Sequence, residues 1–456
     1  MLPKSSAFKC RHRRIPDAPR ITAANAPSAS LPLRFIVTGI FALAIAGGWL
    51  VAQPALVTQY HYGPDAVAFT HLVLLGFAAS VVMGVLYQLT PVALEAKLHS
   101  ERLACWHWWL HVAGVAGMVW MFHRWDMKQL GHFGSVFGLG VVLFVYNMAR
   151  TLARVPRWTP VVFGIASAVG WLFVTMIVGL FLACVKCWPW LSPLAPLPQM
   201  HAHAHLGVLG IFVMLTVAVS YRIVPMFAIS SMQSARRAWW SIALLNLGVA
   251  GLAVTILFQS PWKLAAALVT IAGLALYGIE LRAILRARTR VALDWGMRSF
   301  LTGLGLLAPL SIAALVLCWP GLPVTAHTLQ CENVYAVLAI FGVLWFVIVG
   351  MLGKILPFFV WFHRYSDEIG RNKVPQLADM YSAKLQAAGY WLHLTGLLVT
   401  AAAAGSQLAP IATAGCALLA ASLLTFTINV GFILSHLRRG RPTTPDLPLH
   451  TASVST

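Results

Sequence analysis

Apolar residues along this chain gather into long runs, and short polar stretches separate them. A run of roughly 17–25 apolar residues is long enough to cross a bilayer as a helix. Runs of that kind fall at 34–53, 66–92, 105–122, 132–151, 160–186, 202–227, 238–258, 263–285, 298–318, 332–358, 386–405 and 409–435. The pattern predicts an all-α transmembrane protein of about twelve helices.

Composition and charge agree with that reading. Of 456 residues, 59% are hydrophobic and 10% charged, against roughly 25% charged in soluble domains. That balance excludes both a soluble globule and a disordered chain. The formal net charge of +20 would suit a nucleic-acid partner, but no nucleic-acid motif accompanies it. The cations instead cluster in alternate connections: Lys97 and Arg102, Arg150 to Arg157, Arg222 to Arg237, Arg282 to Arg298, Lys354 to Lys384, and Arg438 to Arg441. The opposite connections hold little beyond Arg124, Lys128 and Lys263. The positive-inside rule then puts both termini in the cytoplasm, with a bacterial inner membrane as the expected setting. Residues 1–33 read as a disordered basic cytoplasmic tail rather than a cleaved signal. Residues 34–435 form the membrane domain, and 436–456 a second cytoplasmic tail.

The chain repeats itself. His71, Leu75-Gly76, Tyr87 and Pro91 in the second run match His205, Leu209-Gly210, Tyr221 and Pro225 in the sixth at one gapless offset of 134. Gly342 and Pro357 in the tenth continue the series, with Val337 in the place of the histidine. In the following runs Trp109-Leu110-His111 resembles Trp391-Leu392-His393. Three pseudo-symmetric units of four helices are expected, at about 34–151, 160–285 and 298–435.

Histidines carry the chemistry. An ionisable residue inside a span is a functional candidate by default, and neutral imidazole is a common metal ligand. His71 lies about two turns inside its span. His201, His203 and His205 open the sixth. On a helix His201 and His205 share a face while His203 points nearly opposite, so the run can serve two sites; a frayed run could instead cup one copper or zinc ion. His107, His111 and His393 fit either ligation or hydrogen bonding between helices. His61, His132 and His327 lie at the edge of the membrane. Cys184-Val-Lys-Cys187 precedes the histidine run and suits copper or a disulfide. There is no CxxCH, so no covalently attached c-type haem.

The run His203-Ala-His205-Leu-Gly-Val-Leu-Gly, continuing to Tyr221 and Pro225, resembles the haem-ligating helix of the haem-copper oxidase superfamily. Within it the cbb3-type oxidases and nitric oxide reductases are most similar. The resemblance implies twelve helices in three groups, a low-spin haem ligand at His71, and two haem ligands in the His-x-His pair. Cytochromes or other oxidase subunits would be partners, beside membrane lipid. The chain departs from the family in carrying His-x-His on the sixth span rather than the tenth, and it has no adjacent His-His pair for copper. Its plan is also similar to NnrS-like membrane haem proteins. The expected function is haem binding, with b-type haem between His71 and His205 and an oxidoreductase role left open. The alternative is a copper-handling protein for oxidase assembly, using His201, His203, His205, Cys184, Cys187 and Met200. A secondary transporter and a cofactor-free scaffold are weaker readings.

Overall fold

The computed structural model describes residues 25–438 apart from 291, 370 and 371. Most of the first tail and of the last lies outside these residues. Among the described residues there are twelve long helices: α1 Ser30–Ala52, α2 Pro64–Ala93, α3 Glu101–Arg124, α4 Met127–Leu152, α5 Pro160–Cys187, α6 Pro196–Ala228, α7 Ala235–Leu257, α8 Lys263–Arg286, α9 Trp295–Leu317, α10 Ala326–Glu368, α11 Ala383–Ser406 and α12 Ala409–Arg438. Eleven of them are long and apolar enough to cross a membrane. The twelfth, α3, spans 24 residues but dilutes its apolar character with His107, His111 and His123. The chain is an integral membrane protein with an all-α fold.

Most helices start earlier than the apolar runs do, because polar residues cap them. The side chains of Ser100, Asp126, Thr159, Ser234, Asp294 and Ser382 each accept a hydrogen bond from a first-turn N–H, and Pro64, Pro160 and Pro196 begin helices where no N–H is needed.

The three helices that carry the repeat, α2, α6 and α10, form the interior. Their most apolar windows are 72%, 61% and 72% buried, against 22–50% for the other spans. Outer helices turn large apolar residues such as Phe41, Leu139, Leu247 and Leu424 outward, as lipid contact requires. Each central helix contains a π-helical stretch at the same register: Leu72–Ala79 just after His71, Leu206–Val213 just after His205, and Leu338–Leu344 just after Val337. Each also carries a late proline inside the helix, Pro91, Pro225 or Pro357.

The repeated glycines set how near each central helix lies to the first helix of its own unit. A Cβ on Gly76 would lie 3.0 Å from Ala42 Cβ, on Gly210 2.9 Å from Trp171, and on Gly342 3.1 Å from Leu306. Close approach of helices, rather than of a macrocycle, is what these glycines allow.

Hydrogen bonds repeat as well. In the first unit Asn147 of α4 accepts from the N–H of Ser100 at 3.0 Å and donates to its carbonyl at 2.8 Å. In the third, Asn429 of α12 does the same to Ser382, at 2.8 and 3.2 Å. In the second, Glu280 of α8 takes that place. It accepts from Gln233 N at 2.6 Å, Ser234 N at 2.9 Å and Arg237 Nε at 2.8 Å. Each unit thus clamps the start of its third helix with a polar residue near the end of its fourth.

Glu280 is fully buried and holds three donors, so Glu280→Ala should cost about 3 kcal/mol. Asn147→Ala should cost about 1–2 kcal/mol. Thermal unfolding in detergent tests the order: the Glu280 variant should melt lower than the Asn147 variant, and equal midpoints would contradict the clamp.

Candidate functional site

Three interfaces join the units, and each sets one central helix against the next. At the first, His71 of α2 faces His203 of α6, with ring centres 6.5 Å apart and planes within 16° of parallel. At the second, His205 of α6 faces Tyr335 of α10, 6.2 Å apart and within 20°. At the third, Phe69 of α2 meets Phe341 of α10, 6.1 Å apart. The three interfaces therefore offer two imidazoles, one and none.

α6 stays helical through its histidines, so they do not cup a single ion. Each aims at a different neighbour. His201 points at His61, His203 at His71 and His205 at Tyr335. The expected pairing of His71 with His205 does not occur. Those two residues are repeat equivalents, and pseudo-symmetry places them at successive interfaces rather than across one. His203 is the residue opposite His71. His71 and His205 do share a device: each Nδ1 donates to the carbonyl four residues back, Val67 and His201, at 2.8 Å. That bond fixes the tautomer and leaves Nε2 with its lone pair free.

A large cavity opens around the first pair, bounded by α2 through α6. Its empty space is about 1690 Å³, part of it open to solvent. Walls of Leu74, Met118, Leu130, Met176 and Leu180 make it overwhelmingly apolar. Phe122 stacks on His71 at 4.3 Å. Gly179 makes room for the opposite ring, since a Cβ there would lie 2.9 Å from His203 Cε1. His203 Nδ1 is buried with no hydrogen-bond partner.

Among the described residues one lysine or arginine lines the cavity, Lys186. Its ammonium sits 4.5 Å over the ring of Tyr62 and 5.5 Å from that of Trp125, held by cation–π attraction. Sequence reading passed over it. It lies inside the Cys184–Cys187 motif, and the signal that marks it is a lysine at the cation-poor end of the spans. Cys184 and Cys187 are half-buried free thiols. Among the described residues they do not join the histidines. The one group of three or more His, Cys, Asp or Glu with ligand atoms within 4.8 Å is His61, His201 and Glu332.

His61 lies in the connection before α2. Burial lowers its pKa below the usual histidine value, and the hydrogen bond to Asn333 partly opposes this, so the ring is neutral at pH 7. His107, His111 and His393 serve packing. His111 Nε2 meets Ser80 Oγ at 2.8 Å, His107 Nδ1 meets the Tyr87 hydroxyl at 2.9 Å, and His393 Nε2 donates to the Phe341 carbonyl at 2.7 Å. In the second unit Tyr221 and Ser241 hold the positions of Tyr87 and His107, 2.7 Å apart.

The fold resembles that of known proteins. A haem-copper terminal oxidase, solved as a dimer by cryo-EM, superposes with a TM-score of 0.57 at 14% sequence identity, over 90% of this chain and 82% of that one. No protein-family model and no curated protein sequence matches the chain. The fold is therefore haem-copper oxidase-like, and at this identity the likeness concerns the fold alone.

Because His111 and His393 are buried and hydrogen-bonded, His111→Ala and His393→Ala should each lower stability by about 1–3 kcal/mol. The cofactor-free protein melted in detergent checks this. Midpoints unchanged in both variants would remove the packing role and return these histidines to the list of ligands.

Proposed function

We propose that the chain is a haem-binding integral membrane protein, a divergent relative of the haem-copper oxidase catalytic subunit, with a b-type haem held between His71 and His203. The observation that carries this reading is the pair of near-parallel imidazoles 6.5 Å apart across an apolar cavity. His71 and His203 would hold the group between them, since the spacing of their ring centres leaves room for each imidazole to reach one metal with a bond of about 2 Å. The orphaned Nδ1 of His203 and the free Nε2 of His71 are the unfilled valences such a group would use. The absence of CxxCH makes attachment non-covalent.

A haem bound there supplies one-electron chemistry. The protein's own residues do the rest. His71 and His203 would both hold the group, and a site with two imidazole ligands would favour electron transfer over binding of a substrate. Leu74, Met118, Leu130 and Met176 keep water from the ring. Lys186, held by Tyr62 and Trp125, is placed to pair with carboxylates at the mouth of the cavity. The backbone hydrogen bond at His71 Nδ1 orients that ligand and raises its basicity. A respiratory or nitric-oxide-related accessory role fits, with a cytochrome or an oxidase subunit as electron partner, in a bacterial inner membrane with both termini cytoplasmic. The copper-handling alternative loses support, because Cys184 and Cys187 do not gather with His201, His203 and His205.

The test is haem content of purified protein by pyridine haemochrome, with reduced-minus-oxidised spectra. Wild type should hold near-stoichiometric b-type haem. His71→Ala, His203→Ala and Gly179→Val should lose most of it, while His205→Ala should keep it. Loss on His205→Ala with retention on His203→Ala would overturn the pairing, and no haem in wild type after haem-supplemented expression would overturn the function. Lys186→Glu replaces a cation with an anion beside the site. It should disfavour the reduced state and lower the midpoint potential, on the order of tens of millivolts.

A further inference from the structure

The upper end of the molecule, where α2, α6 and α10 begin, carries a second constellation that the haem reading does not use. His61 precedes α2, His201 lies in the first turns of α6, and Glu332 lies in the first turns of α10. Each comes from a different unit, and they meet where the three units converge. His61 Nε2 lies 3.3 Å from His201 Nε2 and 3.6 Å from Glu332 Oε2, and His201 Nε2 lies 3.9 Å from that same oxygen. Four ligands in tetrahedral array at about 2.0–2.1 Å from a zinc-type ion sit roughly 3.3 Å from one another. The observed triangle is that triangle, slightly open.

The surroundings prepare the ligand atoms. His61 Nδ1 bonds Asn333 Oδ1 at 3.0 Å. The Asn333 amide is itself oriented by donating from Nδ2 to the Gln59 carbonyl at 3.0 Å. The proton of His61 is thereby placed on Nδ1, and Nε2 presents a lone pair to the centre of the triangle. Histidine ligands of metals are held in this way by an outer partner. Glu332 Oε2 is buried yet has no hydrogen-bond partner, although two imidazole nitrogens lie close by. Left empty, the arrangement leaves one carboxylate oxygen unsatisfied, and the two facing nitrogens share a single hydrogen bond at 3.3 Å. A cation at the centre satisfies all three atoms.

We propose that His61, His201 and Glu332 bind one divalent first-row metal ion of the zinc type, with a fourth position open to water, and that this ion clasps the three units together at their upper end. Two histidines and one carboxylate suit such an ion. The proposal stands apart from the haem reading, since His71 and His203 take no part in it. Its place is nonetheless adjacent: His61 also lines the first cavity, as Lys186 does.

The experiment uses the full chain in detergent, stripped with chelator and titrated with Co2+ followed by Zn2+ in competition. Wild type should bind one ion per chain, show the visible bands of tetrahedral cobalt, lose them to zinc, and melt higher with zinc than without. His61→Ala and Glu332→Gln should each weaken binding at least tenfold and abolish the rise in melting point, and Asn333→Ala should weaken it by about tenfold. Glu332→Gln keeps the size of the side chain, so it carries the test if His61→Ala does not fold; its chelator-treated melting point should match the wild type. No cobalt bands in wild type would overturn the proposal. So would wild-type affinity in Glu332→Gln, or loss of binding on Cys184→Ser with retention in both triad variants.

Discussion

Inside a bilayer every backbone and side-chain polar group has to find its partner within the protein, and this requirement organises the molecule. It accounts for the twelve helices, and it also decides where polar side chains are allowed. Ser80 with His111, Tyr87 with His107, Trp171 with Asn246 and Tyr221 with Ser241 each join two helices of one unit. The Asn147, Glu280 and Asn429 clamps satisfy helix starts that would otherwise be left open. Among the described residues some buried polar atoms still lack a partner, the second ring nitrogens of His107, His111 and His393 among them; the ring of His203 and the carboxylate of Glu332, which belong to the candidate sites, each carry one as well.

Pseudo-symmetry then explains why the sites are unequal. The three units share glycines, prolines, clamps and π-helical stretches, so the frame is common to all. What differs is the pair of residues each interface presents: His71 with His203, His205 with Tyr335, and Phe69 with Phe341. One scaffold thus holds a two-imidazole interface, a one-imidazole interface and an apolar one. The first also lies in an apolar cavity bounded by five helices and lined by Lys186.

Much of this was legible in the sequence, for physical reasons. Span number and position follow from hydropathy, since lipid imposes it on every crossing helix. The repeat was legible because the glycine and proline positions fix how helices pack and bend, and packing tolerates little drift. His71 and His203 were legible as candidates because ionisable groups inside a span are rare. Their pairing was not. Helical geometry says that His203 and His205 point apart, but not which neighbour stands on either side. Lys186 was hidden because the two thiols flanking it drew the chemical reading. The triad of His61, His201 and Glu332 was out of reach altogether, since its members lie in three units and only the closed ring of helices brings them together.

The π-helical stretch in each central helix has a consequence for how such a protein can change. It divides the helix into a lower part, held by core packing, and an upper part that in α2 and α6 carries the histidines. Removing the one extra residue of a π turn would rotate the upper part by about 100° relative to the lower. His201, His203 and His205 would then swap the neighbours they face while the lower half of the bundle stayed as it is. The stretch is in this sense a swivel joint: it lets ligand direction be re-set by a single insertion or deletion, without repacking the membrane core.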